Sequence, residues 1–281
     1  MTQPTFLFIG PDKSGSSWMS YILSLHPDCY VPPAKDTYFF DRYYDKGLNW
    51  YLNHFAPAPS SAKAIGELSH DYLFSKTAAK RIKTHLPKVK IIVCLRNPIE
   101  RSLSQFQYMR RGGEVDSDFY QAVKKFPKII GNSQYLANLQ VYFDLFGTDQ
   151  VEVLIFEDLK ANATAFGKDL LMRLGLNPEV DLPFEERVRE AGMARNRYLS
   201  LALKSGANFS RTLGFANLVG RFKNGSMAQL AYRDVRKDER VTLTKAQQLE
   251  LWKKYFQFEN KALSTLLGRD LSYWNPDGVK L

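Results

Sequence analysis

Short unbroken apolar runs alternate along this chain with longer stretches in which apolar residues recur every three or four positions, so strands and helices are expected to alternate. Phe6 to Ile9 is the first run; Gly10 and Pro11 stop it, and Trp18, Met19, Ile22, Leu23 and Leu25 restart the pattern at helical spacing. Residues 25–33 read as loop, followed by an aromatic-rich stretch through Trp50, Tyr51 and Phe55. Residues 64–69 are read as a second strand and 75–86 as a basic helix. Residues 90–95 form the clearest strand, β-branched and bounded by Pro87 and Asn97-Pro98. Helices are expected over 99–110, closed by Gly112-Gly113, over 118–125 and over 133–146. Residues 151–156 read as strand, and an amphipathic helix follows from Glu157-Asp158 to Leu174. Thr244 and Gln247 have capping-box spacing and open a helix that Gly268 ends.

This alternation predicts an α/β fold with a central, mostly parallel β-sheet flanked by helices. The 281 residues suit a single domain, divided into a nucleotide-binding core over 5–185, a basic segment over 186–240 and a C-terminal helix and tail over 241–274. The basic segment carries Arg195, Arg197, Arg211, Arg221, Arg233 and Arg236 among Gly-Asn and Gly-Ser breaks, and is expected to be mobile or ordered by a ligand.

Charge narrows the choice of partner. Against 29 Asp and Glu stand 39 Lys and Arg, a net +10, which suits an anionic ligand or surface, or equally a solvated basic face. Cys29 and Cys94 make no disulfide framework and fit a reducing compartment. No run approaches the roughly 18 apolar residues of a membrane span, and Met1-Thr-Gln-Pro lacks the features of a signal peptide, so a cytoplasmic protein is expected. The four histidines show no ligand spacing, and no metal site is expected.

The chemistry concentrates between the first strand and first helix, in Gly10-Pro-Asp-Lys13-Ser14-Gly15-Ser16-Ser17-Trp18. Amides at a helix start, with the positive end of the dipole behind them, favour an anion, and Gly15 permits close approach. The spacing approaches that of an ATP-binding loop, but Ser16 stands where such a loop has its lysine, and the only lysine is Lys13. The best strand ends in Arg96, where a magnesium-dependent NTPase would carry an acidic residue. An arginine at the carboxyl edge of a parallel sheet suits a second phosphate, and Ser104 in the following helix adds a hydroxyl donor. Two phosphate sites without a metal cluster suggest a nucleotide phosphorylated at two ends.

These residues resemble the sulfotransferases. Residues 11–18 look like the family's 5′-phosphosulfate loop, and Arg96-Asn-Pro-Ile-Glu-Arg101-Ser-Leu-Ser104 like its 3′-phosphate motif. Residues 35–41, 66–72 and 267–274 match, in the same order, segments of the branch that holds heparan-sulfate sulfotransferases and bacterial relatives, so the resemblance runs from about residue 5 to 274. It implies 3′-phosphoadenosine 5′-phosphosulfate as donor, its bisphosphate as product, and a carbohydrate, lipid or natural-product hydroxyl as acceptor.

The resemblance also implies roles. Lys13 would stabilise the leaving oxygen, while Ser14, Gly15, Ser16, Ser17 and Trp18 would hold the 5′-phosphate and Arg96 and Ser104 the 3′-phosphate. Arg195 and Arg197 loosely resemble the basic segment that covers the nucleotide. Asp36 falls where relatives carry a glutamate base, and His70 is the second candidate. Two departures stand out: Leu68 replaces a lysine of heparan-type relatives, and Asp12 is expected to offset the charge of the phosphate loop. The rival readings are an ATP-dependent kinase, which would require magnesium, and a basic nucleic-acid-binding protein, which would bind with strong salt dependence.

Overall fold

In the computed structural model, the described residues are 2–33, 36–186, 188, 192–194, 232–234 and 241–278. Five strands form one parallel sheet in the order β2-β3-β1-β4-β5: β1 (Phe6–Gly10), β2 (Cys29–Tyr30), β3 (Ala64–Leu68), β4 (Lys90–Leu95) and β5 (Val151–Ile155). Residues 25–33, expected as loop, thus contain the edge strand β2, which pairs through Cys29 and Tyr30 with Ala64 and Ile65.

Alternate strand positions face opposite sides, which separates two apolar layers. On one side Leu7, Ile9, Ile91, Val93 and Leu95 pack with Ala79 and Ile82 of α3 (Lys76–His85), Phe106 of α4 (Pro98–Arg111) and Leu139 and Tyr142 of α7 (Leu136–Phe146). On the other, Phe6, Phe8, Ile92, Cys94 and Leu154 pack with Trp18, Met19 and Ile22 of α1 (Ser16–Leu25) and Phe166 and Leu170 of α9 (Ala163–Arg173). The expected α/β architecture is therefore present, with helices on both faces of the sheet. The aromatic-rich stretch supplies core: Phe39, Phe40, Phe55 and, on α2 (Leu48–Leu52), Tyr51 are buried in the first layer.

Side-chain caps set several helix starts. Ser75 accepts from the Ala78 amide to start α3, and Asp118 accepts from the Gln121 amide to start α5 (Phe119–Lys125). Asn97 caps α4 by accepting from the Ile99 and Glu100 amides, with Pro98 in the first turn. The helix expected over 133–146 is α7, which starts later, at Leu136, and α6 (Lys128–Gly131) precedes it where no helix is expected; the one expected after Glu157 divides into α8 (Phe156–Ala161) and α9, which Asn162 caps. Thr244 forms the expected capping box at α10 (Lys245–Leu251); a π-helical stretch, Trp252–Phe256, then joins it to α11 (Gln257–Leu267), and Gly268 closes α11 in a left-handed conformation. Within the basic segment, Gly192–Ala194 and Tyr232–Asp234 pair as antiparallel strands β6 and β7. Arg195 and Arg197 lie outside the described residues. Among the described residues no helix is long and apolar enough to cross a membrane.

Candidate active site

The switch in strand order around β1 gathers the carboxyl ends of β3, β1 and β4, the edge at which open parallel sheets bind ligands. At the end of β1 the chain packs against the segment that follows β3: a Cβ on Gly10 would sit 2.2 Å from the His70 carbonyl oxygen, and its φ of 125° also disfavours other residues. The buried Ser14 hydroxyl donates to the Pro11 carbonyl at 2.6 Å and folds the loop on itself. Gly15, at φ 90°, turns the chain into α1, and the Met19 amide is bonded back to the Gly15 carbonyl at 3.0 Å. The amides of Ser16, Ser17 and Trp18 thus form the first turn of α1, where helix geometry leaves them outside the intrahelical ladder. The Trp18 ring lies in the core against Phe166 and Phe184, with its indole donating to the Phe184 carbonyl at 3.1 Å, so only its backbone faces the loop. The Lys13 ammonium lies 4.4 Å from the Tyr108 ring centroid, against α4.

The end of β4 is wired to that loop. Arg96 Nη1 donates to the Lys13 carbonyl at 2.9 Å and Nη2 to Glu100 at 3.1 Å, while its Nε is buried with no acceptor. The Phe156 ring stacks 4.6 Å from the guanidinium. Lys160 donates to the same Glu100 oxygen at 2.8 Å. Burial works to raise the Glu100 pKa, but the Lys160 hydrogen bond and the Arg96 charge outweigh it and hold the carboxyl below its ordinary range. Glu157 accepts from the Asn97 amide and from the Trp274 indole, each at 3.1 Å, fixing the start of α4 against the C-terminal tail. Ser104 lies partly exposed on α4.

Asp12 has a partner inside the fold. Its carboxylate accepts from Arg101 Nη1 at 2.5 Å, which ties the loop after β1 to α4. Arg101 is fully buried and also donates to Ser133 Oγ at 2.6 Å and the Ile129 carbonyl at 3.0 Å.

Across the edge, the Asp36 amide donates to the Leu68 carbonyl at 3.1 Å, which mounts the 36–40 segment on the end of β3. Asp36 Oδ1 lies 2.7 Å from His70 Nδ1, and the Tyr38 hydroxyl 3.2 Å from His70 Nε2. Arg42 stacks 4.0 Å from the Tyr38 ring centroid and pairs with Asp71. Burial works to lower the His70 pKa, but the Asp36 carboxylate, with Asp71 and Asp12, outweighs it and holds the imidazole above its ordinary value. Among the described residues, the non-glycine positions with positive φ are Lys13, Asp36 and Tyr38, and all of them belong to these two segments. Left-handed backbone costs a non-glycine residue roughly 1 kcal/mol or more and gathers at functional sites.

Sequence reading did not single out Glu67 as a member of this site. Its side chain is buried among hydroxyls, accepting from Thr37, from Ser69 at 3.0 Å, from Tyr51 at 3.1 Å and from Tyr72 at 3.0 Å. Burial pushes its carboxyl up to about 7, against the pull of those hydrogen bonds. A glutamate on a strand of otherwise apolar residues was the available signal. Among the described residues no cluster of His, Cys, Asp and Glu is arranged to hold a metal. A cleft of about 380 Å³ between α5 and the start of α10 shares no residue with this site.

Residues 3–190 match the family described as the sulfotransferase domain. The membrane-associated sulfotransferase kil1 of Dictyostelium discoideum is 38% identical over 107 residues, 37% of this chain and 23% of that protein. The human bifunctional heparan sulfate N-deacetylase/N-sulfotransferase 2 is 29% identical over 197 residues, 62% of this chain. Each match spans under a quarter of the relative's length, 23% and 22%. Among solved structures, a sulfotransferase from Alicyclobacillus acidocaldarius aligns with a TM-score of 0.66 at 22% identity, covering 98% of this chain and 99% of that one, which supports the same fold. The sulfotransferase domain of the curacin biosynthetic pathway aligns with a TM-score of 0.51 at 14% identity, over 96% of this chain and all of that one. The family match covers well over half of the chain, and this protein belongs to the sulfotransferase family.

Proposed function

We propose that the protein transfers a sulfuryl group from 3′-phosphoadenosine 5′-phosphosulfate to a hydroxyl of a carbohydrate, lipid or natural product, without a metal. The observation that carries this reading is the convergence of the Gly10 to Gly15 loop, Arg96 and the Asp36–His70 pair at one edge of the sheet. The amides of Ser16, Ser17 and Trp18 suit the 5′-phosphate, and Arg96 with Ser104 suits the 3′-phosphate. Arg195 and Arg197 would cover the nucleotide. A fully buried Arg96 Nε without an acceptor fits a guanidinium with donor capacity beyond its internal bonds.

In the reaction the acceptor oxygen forms a bond to sulfur as the bond from sulfur to the bridging phosphate oxygen breaks. The acceptor proton passes to the Asp36 carboxylate, which His70 holds in place by its hydrogen bond and charge. Negative charge grows on the departing oxygen, where Lys13 is suited to meet it after leaving the Tyr108 face. Similarity to a heparan sulfate N-deacetylase/N-sulfotransferase favours a sugar among the acceptors. A cytoplasmic setting accords with Cys29 and Cys94 being unpaired thiols.

The test is sulfuryl transfer to a hydroxyl acceptor panel with the metal removed by chelation. Lys13→Ala is expected chiefly to lower kcat, and Arg96→Ala chiefly to weaken nucleotide binding. Equal, mild effects from both would contradict the assignment.

A further inference from the structure

Glu100 holds a position that one surface ion pair does not account for. A single oxygen, Oε2, accepts from Arg96 Nη2 at the end of β4, at 3.1 Å, and from Lys160 Nζ on α8, at 2.8 Å. Both cations lie against one aromatic floor, the Phe156 ring, at 4.6 and 5.8 Å from its centroid. The same ring borders the phosphate-type loop, since a Cβ on Gly15 would meet Phe156 carbons at 3.1 and 3.2 Å. Two cations aimed at one oxygen, above an apolar floor and beside a helix start, match the demands of a phosphate. The Glu100 and Lys160 side chains are each 45% exposed, so their pairing is readily exchanged for another anion. Arg96 is only 17% exposed and retains a buried Nε that Glu100 does not satisfy.

We infer that Arg96 and Lys160 form one phosphate site in which Glu100 is an internal occupant, displaced when a nucleotide bearing a 3′-phosphate binds. This rests on the donor reading proposed above and extends it to residues outside the resembling motif's phosphate ligands. The exchange is balanced in charge: a phosphomonoester dianion faces two cations, where Glu100 offers a single negative charge, and the freed carboxylate turns to solvent. Lys160 then selects for the 3′-phosphorylated nucleotide, and Glu100 competes with it, limiting retention of the bisphosphate product.

Calorimetric titration with adenosine 3′,5′-bisphosphate and with adenosine 5′-phosphosulfate tests this in the full chain and in two variants of exposed residues. Lys160→Ala should weaken the bisphosphate about tenfold, the scale of one charge-assisted hydrogen bond, and leave the 5′-phosphosulfate within about twofold. Glu100→Gln should tighten the bisphosphate several-fold and spare the other ligand. Equal effects of Lys160→Ala on both ligands, or none on either, would overturn the site. A weakened bisphosphate in Glu100→Gln would make Glu100 a brace for Arg96 and overturn the occupant role. Failure of the donor reading looks different: the unmodified chain would bind neither ligand.

Discussion

Arg101 Nη1 donates to Asp12 Oδ1 at 2.5 Å and joins the interior of α4 to the loop after β1. The guanidinium has no contact with solvent, and its other donors go to Ser133 and the Ile129 carbonyl. The two phosphate-type motifs are therefore one rigid unit, linked once by Arg101 to Asp12 and again by Arg96 to the Lys13 carbonyl.

Removing one partner of such a pair leaves a buried charge without its counterpart. Asp12→Asn is expected to destabilise the fold by about 3 to 5 kcal/mol in urea denaturation. Arg101→Ala should cost at least as much, because it also removes the donors to Ser133 Oγ and the Ile129 carbonyl. A loss below about 1 kcal/mol in either variant, the range of an ordinary surface substitution, would show that the link is not structural.

Glu67 predicts a pH dependence of stability. Burial raises its folded pKa from 4.5 to about 7, so the folded state keeps a proton that the unfolded state has lost over that interval. The contribution is fully present below 4.5 and is lost as pH rises through about 7. Stability of the unmodified chain should therefore fall, relative to Glu67→Gln, between about pH 5 and pH 8. Denaturation curves of the two proteins that stay parallel across that range would refute the buried ionisation.

For the Asp36–His70 pair the sign is again that of a raised pKa. His70 contributes stability that is present below its unfolded value of 6.5 and is lost as pH passes its higher folded value. Asp36→Asn removes the carboxylate 2.7 Å away, so the imidazole titration followed by NMR should move to lower pH. The same variant should keep nucleotide affinity and lose turnover by roughly 10²- to 10⁴-fold. Full activity in Asp36→Asn would assign the proton transfer to His70.

What could be read from sequence was what depends on neighbouring residues. The β4 run, the basic helix after Ser75, the Thr244 cap and the Gly10 to Gly15 spacing each carry their own local physics, and each forms as expected. Strand β2 did not show, because two residues become a strand only by pairing with Ala64 and Ile65. The later start of α7 was hidden for a related reason: buried Ser133 is held by Arg101, 32 positions earlier. Asn162 was a legible cap that the apolar periodicity on either side obscured. Within the site, Lys13 and Arg96 announced themselves through motif spacing. The Asp12–Arg101 link spans 89 positions, and the Glu67 cage draws Thr37, Tyr51 and Tyr72 from separate segments, so neither leaves a periodic trace.

The central claim is tested most directly by a thermal-shift titration with adenosine 3′,5′-bisphosphate, alongside 5′-AMP and ATP with magnesium. A ligand that binds only the folded state raises the melting temperature by mass action. The account predicts a large shift that requires the 3′-phosphate and is indifferent to magnesium. No shift with the bisphosphate, together with a magnesium-dependent shift with ATP, would contradict it and make the Gly10 to Ser17 loop an ATP site.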